Sequence, residues 1–146
     1  MVKCSSRDFG QIEIREEDIL SFQTPLFGFE QYTKFALLHN KEIGESLAWL
    51  QSLEDPTLCF ILFNPAPLAE HYRPRIPDHI KNSLGDEFSE CWVLCTVPQD
   101  IRQMTVNLKS PIFINLRTRR MAQIMLEQDY PVRFSLLKGG AQACSL

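Results

Sequence analysis

Apolar and polar positions alternate at period two along much of this chain, the pattern of strands with one buried face. Met104, Val106 and Leu108 alternate, and Ile112 and Ile114 resume the row after Lys109-Ser110-Pro111. Residues 9–14, 35–38, 48–53, 58–63, 91–97, 104–108 and 112–116 are short apolar or alternating runs that predict strands. Between them, Asp55-Pro56, Asn64-Pro65, Pro98-Gln99-Asp100 and Ser110-Pro111 supply the fixed φ and missing donor that end a ladder. Residues 58–63 are apolar on both faces and are expected to be covered on both sides, as in a sandwich or small barrel.

Helical signals are few. Residues 77–85 begin with proline, place Ile80 and Leu84 four apart, and end on Gly85 where a C-terminal cap would sit, which predicts about two turns. Residues 29–35 suggest one further turn, with Phe29 packed across from Tyr32. The proline-rich stretch 64–77 cannot hold a regular strand. The expected fold is mainly β: one small antiparallel β-barrel over residues 1–138 with one or two short helices, followed by a tail, 139–146, expected to be disordered.

Two asparagines stand out. Asn107 and Asn115 oppose the apolar row, although asparagine is a poor strand residue. Their amides either satisfy backbone groups near Pro111, which cannot donate, or bond the main chain of a partner. The structural role is the more economical, because a strand broken beside proline needs such substitutes.

Charge divides the chain. Residues 1–100 carry 16 acidic and 8 basic side chains, and 101–146 carry 2 acidic and 7 basic. An acidic body disfavours phosphate contacts, so a small RNA-binding barrel using Arg117, Arg119 and Arg120 is the alternative rather than the leading reading. No apolar run approaches the roughly 20 residues that span a bilayer, and the first ten residues lack the apolar core of a signal peptide. A cytoplasmic location is expected.

Five scattered cysteines, at 4, 59, 91, 95 and 144, fit reduced thiols. In a strand, Cys91 and Cys95 would lie about 13 Å apart, beyond the roughly 7 Å between Cα atoms that a disulfide allows. His39, His71 and His79 show no metal spacing, although His71 and His79 flank one loop. There is no G-x-S-x-G elbow, phosphate loop or zinc-protease helix, so no cofactor is expected and binding outranks catalysis.

Three longer segments carry a family resemblance: Pro25-Leu26-Phe27-Gly28-Phe29-Glu30, Trp49-Leu50-Gln51-Ser52-Leu53-Glu54-Asp55-Pro56, and the run from Met104 through Asn107 and Pro111 to Asn115. In order and spacing the chain resembles the flagellar assembly factor FliW family from about residue 9 to 134. Phe27 stands where the family usually has proline, and Glu54 replaces an aspartate. The resemblance implies a non-enzymatic β-barrel; a monomer is expected when the protein is free. It implies two partners, the RNA-binding translational repressor CsrA and newly made flagellin, bound so that free flagellin controls how much repressor is held. Phe27 and Phe29 around Gly28 are candidate apolar anchors for a flagellin helix, and Glu54 and Asp55, with Glu13, Glu16, Glu17 and Asp18, are candidate acidic contacts. Asn107 and Asn115 complete the candidate partner-binding set.

Overall fold

A computed structural model describes residues 1–6, 9–85 and 90–136. Among them are eleven strands: β1 (Val2–Ser6), β2 (Gly10–Ile14), β3 (Leu20–Thr24), β4 (Lys34–Leu38), β5 (Leu47–Ser52), β6 (Cys59–Phe63), β7 (Glu90–Thr96), β8 (Thr105–Val106), β9 (Ile112–Asn115), β10 (Arg120–Gln123) and β11 (Phe134–Ser135). One helix, α1 (Asp78–Leu84), and three 3-10 turns accompany them. The residues 139–146 expected to form a tail lie outside the described residues.

Seven strands close a barrel in the order β7, β6, β5, β4, β3, β10, β9, with β9 returning to β7. The barrel is not wholly antiparallel: β10 runs parallel to β3, with a register shift between Met121 and Ala122. A parallel joint lets the ring close because β10 belongs to the β9–β10 hairpin, whose second strand arrives in the direction of β3.

Period-two alternation fills the interior. Leu20 and Phe22, Phe35 and Leu37, Ala48 and Leu50, Phe60 and Leu62, Trp92 and Leu94, Ile112 and Ile114, and Met121 point inward from successive strands into one cluster. Leu50 faces Phe60, Leu62 faces Leu94, Trp92 faces Ile112 and Met121 faces Ile114 across the ladders. The outward residues Val93, Phe113, Ala122 and their neighbours meet Ile80 and Leu84 of α1 with Leu68 and Tyr72 of the proline-rich stretch in a second cluster. Both faces of β6 are thus covered, Phe60 from within and Phe63 from without, as its sequence requires.

The β1–β2 hairpin forms its own two-stranded sheet and lies on the outside of the barrel through Cys4, Ile12 and Ile14 against Ala36, Leu38 and Leu53. Phe9, beside its turn, meets Trp49 edge to face. Helix α1 ends at Gly85, φ +98°, and a Cβ there would stand 2.6 Å from Thr118 Cγ2. Thr118 Oγ1 donates to the Leu84 carbonyl, so the β9–β10 hairpin closes the end of the helix and only glycine leaves room for it.

Strands β1, β3, β10 and β11 were not expected from the sequence. β11 is two residues long, and β10 opens with an exposed arginine and ends on glutamine, which hides its apolar row. The turn expected over residues 29–35 is instead two successive reversals: Phe29 N–H donates to the Leu26 carbonyl and Tyr32 N–H to that of Phe29. Phe29 packs edge to face on Phe60, and Phe29 and Tyr32 both pack against the interior cluster.

Candidate functional site

The strand registers place three distant loops at one rim of the barrel. Ser52 lies opposite Phe35, Gln51 opposite Cys59, Ile112 opposite Gln123, and Ala122 opposite Thr24. Residues 25–33, 53–58 and 107–111 therefore open at the same end. Phe27, Phe29, Glu54, Asp55 and Asn107 share this rim. Asn115 does not, because it ends β9 at the opposite rim together with Arg117, Arg119 and Arg120.

Each rim loop is shaped by a polar side chain that accepts or donates to the backbone. Asn107 Oδ1 accepts from Lys109 N–H and Ser110 N–H, both at 3.0 Å. At the far rim, Asn115 Oδ1 accepts from Arg117 N–H at 3.0 Å and Thr118 N–H at 3.1 Å. The two asparagines do the same work at i+2 and i+3 on successive loops. Asn115 is only 2 % exposed, so its amide builds a loop and has little surface for a partner.

Two glutamines escaped the sequence reading. Gln51 is fully buried, and its amide nitrogen donates to the carbonyls of Ser52, Pro56 and Leu58 at 3.1–3.2 Å, holding the 52–58 loop from within. Ser52 Oγ accepts from Glu54 and Asp55 N–H in the same loop. Gln123, 3 % exposed, accepts from Phe27 N–H at 2.8 Å and donates to the Ser110 carbonyl at 3.2 Å, so it ties the phenylalanine turn to the Lys109-Ser110-Pro111 loop. A glutamine following Met121 on the inward row of a strand was the available signal.

The anchor pair divides. Phe27 is 45 % exposed on a turn whose Gly28 has φ +86°, while Phe29 is half-buried with its ring centroid 5.0 Å from that of Phe60. Only Phe27 presents a free apolar surface. Around it, Glu30 and Glu54 are exposed, though Glu54 Oε1 also accepts from Thr33 and Lys34 N–H at 2.7 and 2.9 Å and so joins two rim loops. Asp55 Oδ1 accepts from the hydroxyl and N–H of Thr57, and these bonds hold its carboxyl below the usual carboxylate range.

Two of the arginines at the other rim bond the backbone of distant segments. Arg119 Nη1 donates to the Glu16 carbonyl at 3.4 Å and Arg120 Nη1 to that of Ser83 at 3.1 Å. Cys91 and Cys95 sit on β7 as free thiols, pushed up by burial to about 12 and about 11. His71 and His79 are exposed. His79 shares a cleft with Glu127, but no hydroxyl or thiol is among the described residues that line it. No group of three or more metal-ligating side chains converges among the described residues, and no helix among them is long and apolar enough to cross a membrane.

The fold has counterparts. A sequence model of the family described as FliW protein matches residues 3–136. The chain belongs to the FliW family. It is 33 % identical over 142 residues to the flagellar assembly factor FliW of Lachnospira eligens, covering 92 % of this chain and 94 % of the relative. Identity to that of Leptospira interrogans is 36 % over 146 residues, with 96 % of each chain covered. A crystal structure of the flagellar assembly factor FliW superimposes with a TM-score of 0.83 at 29 % identity, covering 92 % of this chain and 96 % of that one. The chain is thus a flagellar assembly factor by family, and its mainly β barrel is the family's fold.

Proposed function

We propose that this protein is a cytoplasmic partner switch that binds the translational repressor CsrA and flagellin, each at the expense of the other. It acts by binding and not by chemistry. The observation that carries the reading is the barrel rim: an exposed Phe27 on a turn held by Gln123, with Glu30 and Glu54 exposed on the same rim. An apolar anchor on a fixed turn within a polar surround suits the apolar face of an unassembled flagellin helix. The acidic body suits a repressor whose RNA-binding surface is positive, since acidic side chains docked beside that surface disfavour the incoming phosphate chain.

Free flagellin would then occupy the protein and leave the repressor on its message. Once flagellin is exported, the protein would capture the repressor and relieve repression. Mutual exclusion of two ligands is a coupling free energy, and it is reciprocal. The test is a gel-shift titration of CsrA on flagellin leader RNA. The protein should release the RNA, added flagellin should restore the complex, and the protein alone should retain no RNA. An undisturbed repressor–RNA complex, or direct retention of RNA, would overturn the proposal.

A further inference from the structure

Where the parallel seam ends, the structure leaves a strand edge uncovered. Beyond Gln123 the chain continues alongside residues 109–111, since Ile124 N–H donates to the Pro111 carbonyl at 3.2 Å and Leu126 N–H to the Lys109 carbonyl at 2.9 Å. These bonds keep the antiparallel register of β9 and β10, in which Arg120 faces Asn115. Alternate residues of a strand direct their backbone groups to opposite edges. The Gln123 carbonyl accordingly turns toward β3, where it accepts from Thr24 Oγ1. Two residues later the same edge has lost its neighbour, because β3 ends at Thr24 and Pro25 supplies no N–H. The N–H and C=O of Met125 have no partner among the described residues.

Residues 124–128 also line a cleft of about 600 Å³, together with Arg75, Ile76, Pro77, His79 and Ile80. Gln128 fixes its width: its Oε1 accepts from Arg75 N–H at 2.9 Å and its Nε2 donates to the Arg73 carbonyl at 2.9 Å. Met125 is 65 % exposed beside it. Its lining is largely apolar, with Met125 on one side and on the other the exposed Arg75, which makes no ion pair among the described residues.

We propose that this cleft is a β-augmentation site for an extended segment of a partner protein, apolar at alternate positions and followed by a carboxylate. The unpaired edge selects the extended backbone, because only a strand offers donors and acceptors at the matching spacing. Ile76 and Met125 take the alternate apolar side chains, with methionine adapting to their shape. Arg75, with His79 near it, takes the carboxylate. Exposed Glu127 on the opposite wall disfavours a second acid there. The inference does not depend on which partner the rim binds.

The test uses the full-length protein, labelled with ¹⁵N, and the acetylated, amidated pentapeptide Val-Thr-Val-Thr-Glu. Saturable shifts of the Met125 and Glu127 amides are expected, with slower hydrogen exchange at Met125. Two further copies of the peptide are N-methylated, one at the valines and one at the threonines. Whichever faces the edge should bind about tenfold or more weakly. Arg75→Glu should weaken the parent peptide and favour a copy ending in lysine, while Met125→Pro, which removes the edge N–H, should abolish the shifts without lowering the melting temperature. No shift with the parent peptide, or equal binding by all three copies, would overturn the assignment. So would a Met125 amide already protected in the free protein, which would place this chain's own residues on the edge. Met125 shifts that depend on protein concentration alone would assign the cleft to a second copy and likewise overturn it.

Discussion

Phe27 and Phe29 are separated by one glycine, yet truncating them should give opposite phenotypes. Phe29 is half-buried against the interior cluster and meets Phe60 edge to face with centroids 5.0 Å apart. A fully buried Phe→Ala change costs about 3–5 kcal/mol. With half the ring covered, and counting the lost aromatic pair at about 0.5–1.5 kcal/mol, Phe29→Ala should cost about 2–4 kcal/mol. For a domain of this size that is a fall in melting temperature of about 5–10 °C. Phe27 contributes its backbone N–H to Gln123 and leaves its ring 45 % exposed, so Phe27→Ala keeps the structural bond and loses little packing. It should cost under about 1 kcal/mol, yet weaken flagellin by about tenfold or more if the ring is an interface anchor. Paired thermal melts and flagellin titrations on the two single variants separate the effects. Equal melting losses would refute the division of the pair, and an unchanged flagellin affinity in a normally melting Phe27→Ala would remove the anchor.

Gln51→Leu is nearly isosteric, but it strips the donor from three loop carbonyls inside the barrel wall, so urea denaturation should show a loss of about 2–4 kcal/mol. A variant as stable as the parent would mean that these carbonyls find other partners. The thiols make stability depend on alkaline pH: Cys91 and Cys95 ionise near the ordinary value of about 8.5 in the unfolded chain but only at about 12 and about 11 when folded. Their contribution is complete below the unfolded value and is lost as pH rises toward the folded ones, so stability should fall between about pH 9 and 12. Replacing both by alanine should flatten that limb, and native-state alkylation at pH 8.5 should be far slower at these two than in urea.

Strand positions and their buried faces were legible in the sequence because a side chain's face is set by a local period of two. Residues 35–38, 48–53, 58–63, 91–97 and 112–116 overlap β4, β5, β6, β7 and β9, and helix α1 lies within the predicted 77–85. Proline and glycine marked the boundaries for the same local reason: each restricts or frees its own backbone. The resemblance in the segments around Phe27, Gln51 and Pro111 identified the family without any pairing information.

Which strands would pair was not written in any one segment. The parallel seam of β3 and β10 joins residues about a hundred positions apart, and nothing local to Leu20–Thr24 distinguishes a parallel neighbour from an antiparallel one. The same long-range closure decided the rest. It brought Phe27, Glu54 and Asn107 to one rim while sending Asn115 to the other. It buried Gln51 and Gln123, which read as ordinary polar positions until loop carbonyls folded over their amides, and it split two neighbouring phenylalanines between interior and surface. Burial depends on what the rest of the chain places over a residue. Residue type and local period constrain that only through the closed barrel, so the elements were readable from sequence and their meeting places were decided in three dimensions.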